Sequence, residues 1–211
     1  MNSGIHSTLQ SGEQLANYLK IVLVGDSNVG KTTLLDALSG SGEIGRGYSV
    51  ALELPLKIHK SKMPLYGRIY DLRSQRYFPY LHSLYYNNAK GAIIVFDLMK
   101  RKSFESITKW RDIIWGHSGN IPILICGNKT DLRKDDEDHV KIEEVISLTK
   151  KLEDEFPKNI PYIELSALKR IIAFSTVKMT SKMDEDIYPT VDAFREPFIN
   201  WLIEIAQEKK R

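Results

Sequence analysis

Leu19-Lys20-Ile21-Val22-Leu23-Val24 is a β-branched apolar run that stops at a glycine-bearing loop, and a helical stretch follows from Lys31 to Leu38. The pattern predicts a strand, a loop of phosphate size and a helix. Residues 39 to 50 hold four glycines and three serines, a composition for a loop. Ala51 to His59 and Leu65 to Leu72 read as two strands, and the short polar turn through Lys60 and Ser61 makes them a hairpin. The chain then alternates. Helices are predicted near Tyr77–Asn87, Ser103–Trp115, Lys141–Glu155 and Thr190–Lys209, with strands at Gly91–Asp97, Pro122–Asn128 and Tyr162–Ser166. Six strands in this order require an α/β fold, a mostly parallel sheet with helices on both faces. Ala92 to Phe96 is apolar at consecutive positions, as a central strand buried on both sides must be. In the last helix Val191, Phe194, Phe198, Leu202 and Ile205 recur at helical spacing, and Pro197 is expected to kink its first half.

Composition narrows the class without naming a function. With 211 residues, 42% hydrophobic and 27% charged, the chain has the makeup of one ordinary globular domain. Residues 1–18 are polar and read as a flexible N-terminal extension, leaving 19–211 for the domain. A net charge of +3 is too small and too dispersed to point to nucleic acid. Cys126 is the single cysteine, so no intrachain disulfide forms, and no Cys/His spacing suits zinc. No apolar run reaches the roughly 18–20 residues of a spanning helix. Neither a signal peptide nor a C-terminal lipidation cysteine is seen, so the expectation is a cytoplasmic monomer with no covalent lipid anchor.

Two motifs carry the chemistry. Gly25-Asp26-Ser27-Asn28-Val29-Gly30-Lys31-Thr32 fits G-x-x-x-x-G-K-[ST], in which inward-facing backbone N–H groups and the dipole of the following helix hold phosphates. Lys31 reaches the β- and γ-phosphates, the Thr32 hydroxyl suits Mg²⁺, and Thr33 joins the phosphate set. A phosphate loop alone fits ATPases, nucleoside kinases and GTPases equally, so the base must be read elsewhere. Asn128-Lys129-Thr130-Asp131 supplies it: a carboxylate there accepts from both N1–H and the exocyclic amine of guanine, and adenine offers no such pair.

In these residues the chain resembles the Ras superfamily of small GTPases, most closely the Rab-like branch. The phosphate loop, the run from Gln75 through Tyr85-Tyr86 to Asp97, the guanine motif Gly127–Leu132 and Glu164-Leu165-Ser166-Ala167 carry the resemblance. It implies a P-loop NTPase fold of the small G-domain type, GTP or GDP with Mg²⁺ as ligands, and effector and regulatory proteins meeting the two nucleotide-sensing loops, switch I and switch II. It also implies that the Ala167 N–H meets the guanine carbonyl oxygen, with Ser166 and Leu168 beside it.

Departures from the family pattern define the open questions. Where relatives carry Asp-x-x-Gly and then glutamine, this chain reads Asp71-Leu72-Arg73-Ser74-Gln75. Asp71 suits the magnesium hydration shell and Gln75 suits the attacking water, and Ser74 takes the place of the glycine that contacts the γ-phosphate. Counting from either motif brings the switch I hydroxyl to Ser49 or its neighbour Val50, and Ser49 keeps the oxygen that Mg²⁺ needs. Arg46, three residues earlier, resembles the internal arginine of heterotrimeric G-protein alpha subunits. Arg46 or Arg73 is therefore a candidate arginine finger, against the simpler reading of a solvated side chain. Leu168 stands where a lysine is common, and the stretch 169–189 before the last helix is longer than usual. Three functional readings remain: a GTP-hydrolysing switch, a nucleotide-bound interaction module with little turnover, and an ATP-using P-loop enzyme, which Asn128–Asp131 disfavours.

Overall fold

The computed structural model describes residues 17–40, 51–57, 64–71, 85–134, 139–155, 159–172 and 188–208. Strand β1 (Asn17–Val24) leads to helix α1 (Lys31–Ser39), then strands β2 (Ala51–Leu56) and β3 (Leu65–Asp71). After β4 (Gly91–Asp97) come helices α2 (Arg101–Glu105) and α3 (Ile107–Ser118), β5 (Ile123–Asn128), a 3-10 turn (Thr130–Leu132) and α4 (Ile142–Glu155). Strand β6 (Tyr162–Leu165), a helical turn over residues 167–172 and helix α5 (Tyr188–Glu208) complete the described chain.

The six strands form one sheet in the order β2-β3-β1-β4-β5-β6. Only β2 and β3 pair antiparallel, as a hairpin with Ala51 opposite Tyr70, and every other pairing is parallel. The α/β fold with a mostly parallel sheet is therefore as expected. All seven residues of β4 are buried, with Ile93 and Val95 facing one core and Ala92, Ile94 and Phe96 the other. Leu34, Leu38, Phe198 and Leu202 from α1 and α5 close the first core; Ile107, Ile114, Val145 and Leu152 from α3 and α4 close the second. Burying both faces forces consecutive apolar residues in the central strands, which is why β4 and β5 were so readable. Among the described residues, no helix is long and apolar enough to cross a membrane.

Two boundaries correct the sequence reading. Strand β1 starts at Asn17, because Asn17 and Tyr18 pair with Leu65 and Tyr66, so the end of the supposed extension is sheet. The helix expected over Ser103–Trp115 is two helices parted at Ser106. Main-chain bonds of helical type continue across the break, from the Ser106 N–H to the Lys102 carbonyl at 3.1 Å and from the Trp110 N–H to the Ser106 carbonyl at 3.0 Å. Most of the helix expected near Tyr77–Asn87, and the stretch 173–187 ahead of the last helix, lie outside the described residues.

Candidate nucleotide-binding site

Strand β1 ends against the sheet's point of reversal, flanked by β3 on one side and β4 on the other, so the loop after Val24 opens into the crevice where such sheets bind ligands. Two glycines fix the loop's path. Gly25 has φ +140, and a Cβ there would lie 2.1 Å from the Val95 carbonyl oxygen. Gly30 has φ +93, and its Cβ would lie 2.4 Å from Asn128 Nδ2. Asn28 also takes a left-handed conformation, with φ 67, which asparagine tolerates better than most residues. Helix α1 starts at once after Gly30 with no side-chain cap and no acidic residue in its first turn. An uncapped helix start with no acidic residue in its first turn is the kind that suits an anion.

Lys31 folds across this loop, its Nζ donating to the carbonyls of Gly25 at 2.8 Å and Asp26 at 2.7 Å. The Thr32 hydroxyl donates to Asp71 Oδ2 at 2.8 Å, which joins the first turn of α1 to the last residue of β3. Asp71 is only 2% exposed. A hydroxyl and a carboxylate side by side are hard oxygen donors, the type that Mg²⁺ prefers. Ser27 and Asn28 are exposed at the loop tip, Val29 is buried beneath it, and Thr33 is half-buried.

The second half of the site is built around Asn128. Its buried amide donates from Nδ2 to the Val29 carbonyl at 2.9 Å. Its Oδ1 accepts from the N–H groups of Lys129 at 2.8 Å and Ala167 at 3.1 Å. One side chain therefore pins the phosphate loop, the turn after β5 and the turn after β6. The Ala167 N–H, assigned by resemblance to the guanine carbonyl, is here engaged by that amide, because a buried Oδ1 needs donors. Asp131 is half-buried and accepts from the Ser166 hydroxyl, whose oxygen in turn accepts from the Lys169 N–H. Leu168 is 41% exposed at this rim, as is Leu132 at 49%.

Several contributors escaped the sequence reading. Asp97 is one: its Oδ2 pairs at 2.7 Å with Nζ of Lys129, a residue of the guanine motif held at φ 73. A charged residue ending the fully apolar strand β4 was the available signal for Asp97. Arg133 pairs with Glu164 at 2.9 Å, and Tyr162 donates its hydroxyl to the same carboxylate, fastening the guanine turn to β6. Burial, then the neighbouring Glu164, push the Tyr162 phenol well above its usual range and keep it a donor. Trp110 and Ser106 hold the carboxylate of Asp26, and no sequence motif marks either of them. Arg46, Ser49, Arg73, Ser74 and Gln75 lie outside the described residues.

A doubly covered parallel sheet with a glycine-bounded loop opening onto a helix start defines a P-loop nucleotide-binding fold of the small G-domain type. The sequence matches the Ras family model over residues 20–182, and the chain belongs to that family. Ras-related protein RGP1 of Oryza sativa subsp. japonica is 32% identical over 135 residues, which cover 63% of this chain and 60% of that protein. Ras-related protein RABA4c of Arabidopsis thaliana is 35% identical over 116 residues, covering 54% and 52% respectively. The matched stretch is thus little more than half of either relative's length.

Proposed function

We propose that this protein is a small GTPase, of the Rab-like branch, that binds GTP and GDP with Mg²⁺, cleaves the γ-phosphate and uses the difference to control partner binding. The observation that carries this reading is the Asn128 amide, which ties a phosphate loop to a guanine-type turn in one buried network. The loop backbone, the start of α1 and Lys31 bind the phosphates, and Asp131, oriented by Ser166, accepts from guanine. Thr32 and Asp71 would hold Mg²⁺, joined by the Ser49 hydroxyl. Mg²⁺ there would neutralise phosphate charge. Gln75 orients the attacking water, with Arg46 or Arg73 as a candidate internal arginine finger and Ser74 as the donor that replaces glycine. Effectors and regulators would meet switch I and switch II, and the protein would work in the cytoplasm as a monomer.

Single-turnover cleavage of bound GTP, followed together with the identity of the nucleotide released on denaturation, tests the reading. Guanine nucleotide and steady conversion to GDP are expected, and loss of turnover on Arg46→Ala or Arg73→Ala would identify the finger. Asp71-Leu72-Arg73-Ser74-Gln75, with no glycine, favours a second reading, a nucleotide-bound interaction module. Guanine nucleotide that remains GTP would select that module, and adenine nucleotide would defeat both readings.

A further inference from the structure

Asp26 places a carboxylate in the loop proposed to bind a polyanion, and the loop's own backbone does not explain where that charge goes. Both of its oxygens are turned aside: Oδ1 accepts from Trp110 Nε1 at 2.9 Å and Oδ2 from the Ser106 hydroxyl at 2.9 Å. These donors stand 84 and 80 residues away, at the start of α3, where the helix dipole favours an anion. Ser106 is the residue at which α2 and α3 part, and its single hydroxyl proton is shared between the Asp26 carboxylate and the Lys102 carbonyl, each at 2.9 Å. Meanwhile the Asp26 carbonyl accepts from Lys31 Nζ at 2.7 Å.

We propose that Trp110 and Ser106 are positioning residues that keep the Asp26 carboxylate away from Lys31 and the phosphate cradle, and so set how long nucleotide is retained; the proposal rests on the nucleotide-binding reading above. Released from its two donors, the carboxylate has a lysine ammonium bound to its own main chain as a new partner. It would then compete with phosphate for Lys31 and repel the phosphate charge. Two neutral donors and a helix start are suited to the task, since they satisfy the carboxylate without adding a cation that would itself draw the nucleotide aside. The side chain of Trp110 also packs against the core under β4, so its indole is rigidly aimed.

The full chain is loaded with a fluorescent GDP analogue and its release is timed during a chase with excess GDP. Trp110→Phe, which keeps an aromatic ring but deletes the N–H, is expected to speed release about tenfold. Ser106→Ala removes one oxygen, is expected to act in the same direction, and serves in its place if the tryptophan variant fails to fold. In an Asp26→Ala background neither substitution should add any further acceleration, because the charge being restrained is gone. Equal acceleration with and without Asp26 would overturn the proposal and reduce Trp110 to packing, as would release within about twofold of the parent for both single variants. A parent chain that binds no guanine nucleotide sinks the GTPase reading itself; one that binds but ignores both substitutions sinks only the restraint.

Discussion

The Thr32 hydroxyl lies 2.8 Å from Asp71 Oδ2, so a residue of the first turn of α1 is locked to the end of β3 across 39 residues of sequence. Neither residue touches the other by accident of packing: Asp71 is almost wholly buried at the sheet's ligand end, and Thr32 is the one hydroxyl the phosphate motif requires there. The pair joins the helix that follows the candidate phosphate loop to the start of the segment Asp71-Leu72-Arg73-Ser74-Gln75.

Thr32→Val preserves shape and β-branching but deletes the hydroxyl. In the parent, chelation of Mg²⁺ with EDTA should accelerate nucleotide release. In the variant, release should already be faster by about tenfold or more, and EDTA should add almost nothing. The check is release measured with and without EDTA in both proteins. An undiminished EDTA response in the variant would remove Thr32 from the metal site.

Gly30→Ala tests the seam between the two halves of the site. The new methyl would meet Asn128 Nδ2 at 2.4 Å in a backbone conformation with φ +93 that alanine resists. Asn128 must move, and its bonds to Val29, Lys129 and Ala167 go with it. Overpacking and strain of this kind cost about 2 kcal/mol, or about 4–8 °C in melting temperature for a chain this long. Calorimetry should show that loss together with failure to retain nucleotide; a stable variant with normal retention would mean the seam yields freely.

The sheet was legible because β4 and β5 are buried on both faces and carry no polar side chain before their last residues, Asp97 and Asn128. The candidate phosphate and guanine loops stand out in the sequence because the chemistry restricts residue type at fixed spacing, as at Gly25, Gly30, Lys31 and Asp131. Contacts across long separations were not. Nothing local to Trp110 distinguishes an indole that packs from one that also binds Asp26, and the helical period runs through Ser106 with no mark of the break there. Asn17 and Tyr18 carry no apolar periodicity that marks a strand, and their place in β1 is defined only by pairing with Leu65 and Tyr66.

Base choice should invert at Asp131. Asp131→Asn replaces one acceptor by an amide donor, which opposes the exocyclic amine of guanine but matches the carbonyl that xanthine carries at the same position. Retention of guanine nucleotide should fall by about a hundredfold or more, with xanthine nucleotide gaining. Competition binding with both nucleotides decides it. Equal losses for the two bases would assign the effect to disruption of the Ser166 contact instead.

Acid should erase the contribution of Glu144 in a defined window. Its carboxylate takes a two-pronged bond from Arg101, at 2.7 and 3.1 Å, and a further one from the Lys141 N–H at 3.1 Å, closing the start of α4 against α2. These partners, Arg101 foremost, hold its pKa down at about 2 from 4.5. The folded state therefore binds this proton more weakly than the unfolded state. Its stabilisation is fully present above the unfolded value of 4.5 and disappears as pH falls through about 2. Because the pair is exposed and screened by solvent, Glu144→Gln should cost only about 0.5–1 kcal/mol at pH 7. Urea unfolding of parent and variant at pH 7, 5 and 3 should give equal gaps at the first two and a narrower one at the third. A gap that widens on acidification would mean that Glu144 stabilises the fold through its neutral form.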